Sequence, residues 1–170
     1  MKALFIIAQE GYQDIEYKTP KKILEENGIE VITASKKTGT CKGALGGSTE
    51  ATISINDVDV YDYDAIVFIG GPGARDYQHD VKAHLTAQEA INRDKILAAI
   101  CIAPIILAYA DVLEGKKATI WNNDGKQQEI LEKNGATYTG EDVTTDGKII
   151  TANGPRAAEK FGNKIVELLK

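Results

Sequence analysis

Four strand-like runs, with segments of helical periodicity among them, constrain this chain more than any other feature. They are KALFIIA (2–8), IEVITAS (29–35), the apolar part of YDAIVFIGGPG (63–73) and KILAAI (95–100). Strands that are apolar almost throughout must be covered on both faces, which is the condition of a parallel sheet. Helices suited to cover them follow. YQDIEYKTPKKILEENG carries Ile15, Thr19, Ile23 and Leu24 at helical spacing before Gly28 stops it, and DVKAHLTAQEAINRD (80–94) and CIAPIILAYA (101–110) read the same way. A helix over DGKQQEILEKNG (124–135) follows KKATI (116–120), and PRAAEKFGNKIVELLK ends the sequence with Pro155 at a helix start. Asp146-Gly147 within VTTDGKIITA (143–152) marks a hairpin, and the Gly-, Thr- and Lys-rich segment 36–50 has room for a second, smaller one. The expected fold is α/β, an open, mostly parallel sheet with helices on both faces, formed as one domain over residues 1–170.

Composition narrows the function classes. A hydrophobic content of 43% is ample for one core, and no uninterrupted apolar run reaches the roughly 18 residues of a membrane span. The apolar run near Met1 is too short for a signal-peptide core, so the expectation is a soluble, cytoplasmic protein. A net charge of -5 with scattered basic residues argues against nucleic acid, leaving small molecules and further copies of the chain as partners. Cys41 and Cys101 stand in no metal-ligand spacing with His79 and His84, so neither a metal nor another cofactor is expected, nor a disulfide framework. Cys41, in TGTCKG, reads as an exposed loop cysteine.

In sheets of this kind ligands bind beyond the carboxyl ends of the strands. Three segments converge there: the loop after the first strand, with Glu16 just beyond it; the GGPGARD turn; and Cys101 in AAICIAP. A strand that turns abruptly into a helix at a nucleophile needs small neighbours, and alanines flank this site in A-I-C-I-A. Such an elbow places the thiol at a helix N-terminus, where free amides favour the thiolate and cradle an oxyanion. Glu16 falls on the side of its helix that carries Thr19 and Ile23, so partial burial is expected.

GYQDIEYKTP, VFIGGPG, AAICIAP and DGKIITANGP together resemble the ThiJ/PfpI superfamily, whose flavodoxin-like sheet is related to that of class I glutamine amidotransferases. The resemblance spans essentially all 170 residues. It implies Cys101 as reactive thiol, Glu16 as the carboxyl bonded to it, the amides of Gly71 and Ile102 as oxyanion donors, and a homo-oligomer, at least a dimer. The proteolytic branch has a histidine directly after the cysteine; here Ile102 stands in its place. The other branch has a histidine after the next strand, about where Trp121 lies. Asp76, in the loop of the acid that would orient such a base, has none to orient. Gly70, Gly73, Asp76, His79 and Trp121 remain candidates for a pocket or an interface, with Tyr12 and Trp121 either lining a pocket mouth or simply packing. Expelling an amine needs a proton donor that the missing histidine would supply. The expected function is therefore a cysteine-dependent enzyme of small carbonyl compounds, glyoxalase-like, deglycase-like or a relaxed hydrolase, with little peptidase activity. The alternatives are a redox-responsive protein holding a Cys101 sulfinate under oxidative stress, and a chaperone-like oligomer.

Overall fold

A computed structural model describes all of residues 1–170. Its central sheet has seven strands in the order β11-β12-β8-β7-β1-β3-β6. These are β1 (Lys2–Ile6), β3 (Glu30–Ser35), β6 (Ile53–Ser54), β7 (Ala65–Phe68), β8 (Ile96–Ile100), β11 (Val143–Asp146) and β12 (Ile149–Ala152). Only the β11/β12 pair is antiparallel, closed by the hairpin at Asp146-Gly147. The flanking helices are α1 (Asp14–Glu26), α2 (Val81–Asn92), α3 (Pro104–Tyr109), α4 (Gln127–Lys133) and α5 (Ala158–Leu169). The expected α/β architecture is the one observed.

The period of two along each strand sorts its side chains into two cores. Leu4, Ile6, Ile66, Phe68, Leu97 and Ala99 face one layer, where they pack under Ala83 and Ala87 of α2 and Ile105 and Leu107 of α3. Ala3, Phe5, Ala65, Val67, Ala98 and Ile100 face the other, beneath Tyr17 and Leu24 of α1 and Phe161 and Ile165 of α5. Burial on both sides is why the strands read as unbroken apolar runs.

Several local expectations are corrected. Ile15 is exposed; the buried side of α1 is Asp14, Glu16, Tyr17, Pro20 and Leu24, because Tyr17 and Leu24 turn toward Phe5 and Ile29. The segment 36–50 does form a hairpin, β4 (Gly39–Gly43) with β5 (Ser48–Ala51), and β2 (Glu10–Tyr12) joins it in a separate three-stranded sheet. That pairing buries Cys41 completely, so it is not an exposed loop cysteine: Sγ lies 3.5 Å from Gln9 Nε2, and burial pushes the thiol up. Part of KKATI pairs outside the main sheet, as β9 (Lys117–Ala118) with β10 (Thr137–Tyr138). The helix expected to start at Cys101 begins at Pro104, since Cys101 has φ +63° and cannot be helical. The helix expected from Asp124 begins at Gln127, after a turn in which Asn122 Oδ1 accepts from the Gln127 and Gln128 amides.

Candidate active site

β1, β7, β8 and β12 run in parallel, so their carboxyl ends reach one edge. The strand order also reverses there, with β3 on one side of β1 and β7 on the other. The four connections leaving this edge carry Gln13 and Glu16, Gly70 and Gly71, Cys101, and Pro155. A cavity of about 300 Å³ opens between them, lined by Gln13, Glu16, Gly71, Pro72, Cys101, Ile102, Trp121 and Pro155.

The elbow is held by the backbone on both sides of the thiol. The Cys101 N–H donates to Ala152 O at 2.8 Å, and Cys101 O accepts from the Trp121 N–H at 2.9 Å. Between these bonds Cys101 is kept at φ +63°, a conformation that costs a non-glycine residue on the order of 1 kcal/mol or more. The surrounding sheet supplies that cost, and the result is a side chain lifted off the end of β8 into the cavity.

Glu16 reaches the same point from α1 through a reciprocal pair of bonds to Gly70. The Gln13 N–H donates to Gly70 O at 2.9 Å, and the Gly70 N–H donates to Glu16 Oε2 at 3.0 Å. Gln13 also caps α1, its Oε1 accepting from the Ile15 and Glu16 amides at 2.7 and 3.0 Å. Gly70 must be glycine for a packing reason: a Cβ there would stand 2.5 Å from Glu16 Oε2 and 2.6 Å from Cys101 Cβ. Gly71, at φ +105°, passes as closely against Gly11 and Gln13.

The Glu16 side chain is fully buried, and desolvation raises its pKa from 4.5 to about 7, opposed by bonds to the thiol and the Gly70 amide. Glu16 Oε1 has no regular hydrogen bond; the polar group beside it is the Cys101 thiol. Burial first, and then the facing carboxylate, push that thiol well above its ordinary range, while the Ile102 and Gly71 amides pull it down. The expected stabilisation of the thiolate by a helix N-terminus is thus opposed by burial and by the facing carboxylate. α3 has only six residues and starts three positions after the sulfur, so its dipole contributes little against burial.

Of the other candidates, Trp121 lines the cavity, and Gly73 packs against Glu10 and Ala8. His79 is exposed and stacked on Tyr109, with ring centroids 4.7 Å apart, and neither it nor the exposed Asp76 reaches the thiol cavity of its own chain. Tyr12 is buried against Tyr17 rather than at the mouth. Gln13, Pro72 and Pro155 escape sequence reasoning: a capping glutamine and two loop prolines carry no chemical signature, though Gln13 sits where a helix cap is due. No three His, Cys, Asp or Glu side chains cluster in a way that could hold a metal ion.

Comparison with known proteins finds relatives over nearly the whole chain. An uncharacterized protein of Methanocaldococcus jannaschii is 36% identical over 170 residues, spanning 99% of this chain and 82% of that one. A deglycase of Pyrococcus horikoshii is 31% identical over 170 residues, with 100% of both chains covered. The crystal structure of a ThiJ/PfpI domain protein from Brachyspira murdochii superposes with a TM-score of 0.95 at 32% identity, over 99% of this chain and 95% of that one. The model of the DJ-1/PfpI family matches residues 1–168, and the chain belongs to that family.

Proposed function

We propose that this protein is a cysteine-dependent enzyme of small carbonyl compounds, glyoxalase-like or deglycating, in which Cys101 attacks and Glu16 moves the proton. The observation that carries this reading is the placement of the Cys101 thiol and the fully buried Glu16 carboxyl side by side over Gly70, at the base of a small cavity, with burial raising the carboxyl pKa to about 7. Near neutral pH a substantial fraction of Glu16 is ionised and ready to accept a proton. As sulfur bonds to an aldehyde carbon, the thiol proton passes to Glu16 and the carbonyl π pair moves onto oxygen. The Gly71 and Ile102 amides, which face the sulfur, receive that oxyanion. The proton then passes from Glu16 to the alkoxide, leaving a hemithioacetal on Cys101. The deglycase name of the Pyrococcus relative supports a reaction of this class.

The same chemistry explains why a peptide is a poor substrate. As the C–N bond breaks the leaving amine must be protonated, and the cavity wall offers Ile102 and Trp121 where a histidine would be needed.

Methylglyoxal consumption by wild type, Cys101→Ser and Glu16→Leu tests the reading. Saturable turnover lost in both variants is expected. Turnover surviving Cys101→Ser overturns it, and so does a wild type that consumes nothing while accumulating a sulfinate at Cys101 under peroxide.

A further inference from the structure

A second cavity, of about 470 Å³, adjoins the thiol cavity and shares Trp121 and Pro155 with it. The larger space is polar where the smaller is apolar. Asn123, Asn153, Asp142 and Arg156 border it. Asp142 is engaged, its Oδ1 accepting from Asn153 Nδ2 at 3.3 Å. Arg156 makes no ion pair with any carboxylate of the chain, and its nearest neighbour in sequence, Pro155, already walls the thiol site. A guanidinium without a carboxylate partner, bordering the same cavity as Asn123, suits a planar anion, which it holds through paired N–H donors.

We propose that Arg156 is a specificity-determining anchor for a carboxylate tail on the carbonyl substrate, a tail that leaves Cys101, crosses between Trp121 and Pro155, and ends in the polar cavity. The preferred substrate class is an α-oxoaldehyde with a short acidic chain, of which methylglyoxal is a tailless and slower member. The anchor rests on the reading of Cys101 as the carbonyl-reactive group. It adds a direction to that site: the reacting carbon lies in the dry cavity and the charge in the wet one, so the carboxylate stays solvated by Arg156 and the amides while the aldehyde is desolvated beside sulfur.

The test compares kcat/KM for an α-oxoaldehyde bearing a propanoate tail with that for its methyl ester. Wild type should prefer the acid by about tenfold, the preference should vanish in Arg156→Gln, and Arg156→Lys should restore part of it. A preference of the same size in wild type and Arg156→Gln overturns the anchor. A second measurement stands apart from turnover: levulinate, a methyl ketone with the same tail, is titrated calorimetrically into Cys101→Ser with and without Arg156→Gln. Binding weakened about tenfold by the second substitution upholds the anchor even if no dicarbonyl is consumed, in which case only the enzymatic reading falls. Equal or absent binding in both proteins overturns the anchor whatever the turnover.

Discussion

Glu16 and Cys101 meet over Gly70, and each governs where the other's proton lies: the thiol favours an ionised Glu16, and an ionised Glu16 holds the proton on sulfur. The pair therefore resists carrying two negative charges at once. Such a pair titrates as a unit, and its behaviour with pH gives the clearest access to the site.

The first expectation is a stability that falls as pH rises. The Glu16 pKa is raised on folding from 4.5 to about 7, so its contribution is fully present below about pH 4.5 and lost as pH climbs through about 7. At 1.36 kcal/mol per unit, the loss approaches roughly 3 kcal/mol. Urea unfolding at about pH 5 and about pH 8 should show that slope in wild type and a much flatter one in Glu16→Gln. Parallel profiles would mean that Glu16 ionises in the folded protein as freely as in the unfolded chain.

The thiol should respond to Glu16 with a sign opposite to that of a simple donor. A protonated Glu16 donating to a thiolate would make Glu16→Leu raise the Cys101 pKa. Because Glu16 is already ionised at the pH where this thiol titrates, removing the carboxylate should lower it. Thiolate absorbance across alkaline pH in wild type, Glu16→Gln and Glu16→Leu reads the direction, and a higher value in either variant would contradict the pairing described here.

How far the sequence discloses this arrangement depends on the range of the interactions involved. The strands were legible because sheet burial acts on every residue of β1, β7 and β8, and the Asp146-Gly147 hairpin because its turn chemistry is local. The face of α1 was not, since Ile15 looks like a core residue until Tyr17 and Leu24 find partners on distant strands. Cys41 looks exposed in the sequence for the same reason: only the pairing of β4 with β2 and β5 buries it. The placement of Glu16 and Cys101 at one sheet edge follows from strand order, but the proton's place between them depends on desolvation, which no residue spacing reveals.

Burial also separates the two thiols. Cys41 is sealed within its small sheet, whereas Cys101 borders a cavity open to solvent. Iodoacetamide at alkaline pH, where the Cys101 thiol begins to ionise, should modify Cys101 in the native protein and Cys41 only after unfolding, as read by peptide mass spectrometry. Equal labelling of both under native conditions would place Cys41 at the surface.

Gly70→Ala probes the packing that joins the pair. Its new methyl would meet Glu16 Oε2, Cys101 Cβ and Ile100 O at 2.5, 2.6 and 2.7 Å, and the last of these is sheet backbone that cannot swing away. Overpacking of this kind costs about 1–3 kcal/mol, and relief must come from pushing Glu16 away from the sulfur. The variant should therefore unfold at lower urea and also shift the Cys101 titration toward that of Glu16→Leu. A stability loss with an unchanged thiol titration would show that the two side chains are not coupled through this point.

Proteolysis provides the sharpest chemical contrast. A thiol can form a hemithioacetal with one mobile proton, and the Glu16–Cys101 pair supplies it; cleaving an amide needs that proton relayed instead to the departing nitrogen, on the cavity side of the sulfur. That side is walled by Ile102, Trp121, Pro72 and Pro155, while His79 lies exposed against Tyr109 and His84 Nε2 is bonded to Gln78 O at 2.7 Å. Casein and peptide-amide cleavage by wild type should match that of Cys101→Ala. Installing the missing base tests the argument in the other direction: Ile102→His, which puts an imidazole beside the sulfur, should create measurable cysteine-dependent cleavage. Peptidase activity in wild type that disappears in Cys101→Ala would show that a proton donor from outside this cavity, such as one carried by a second copy of the chain, completes the site.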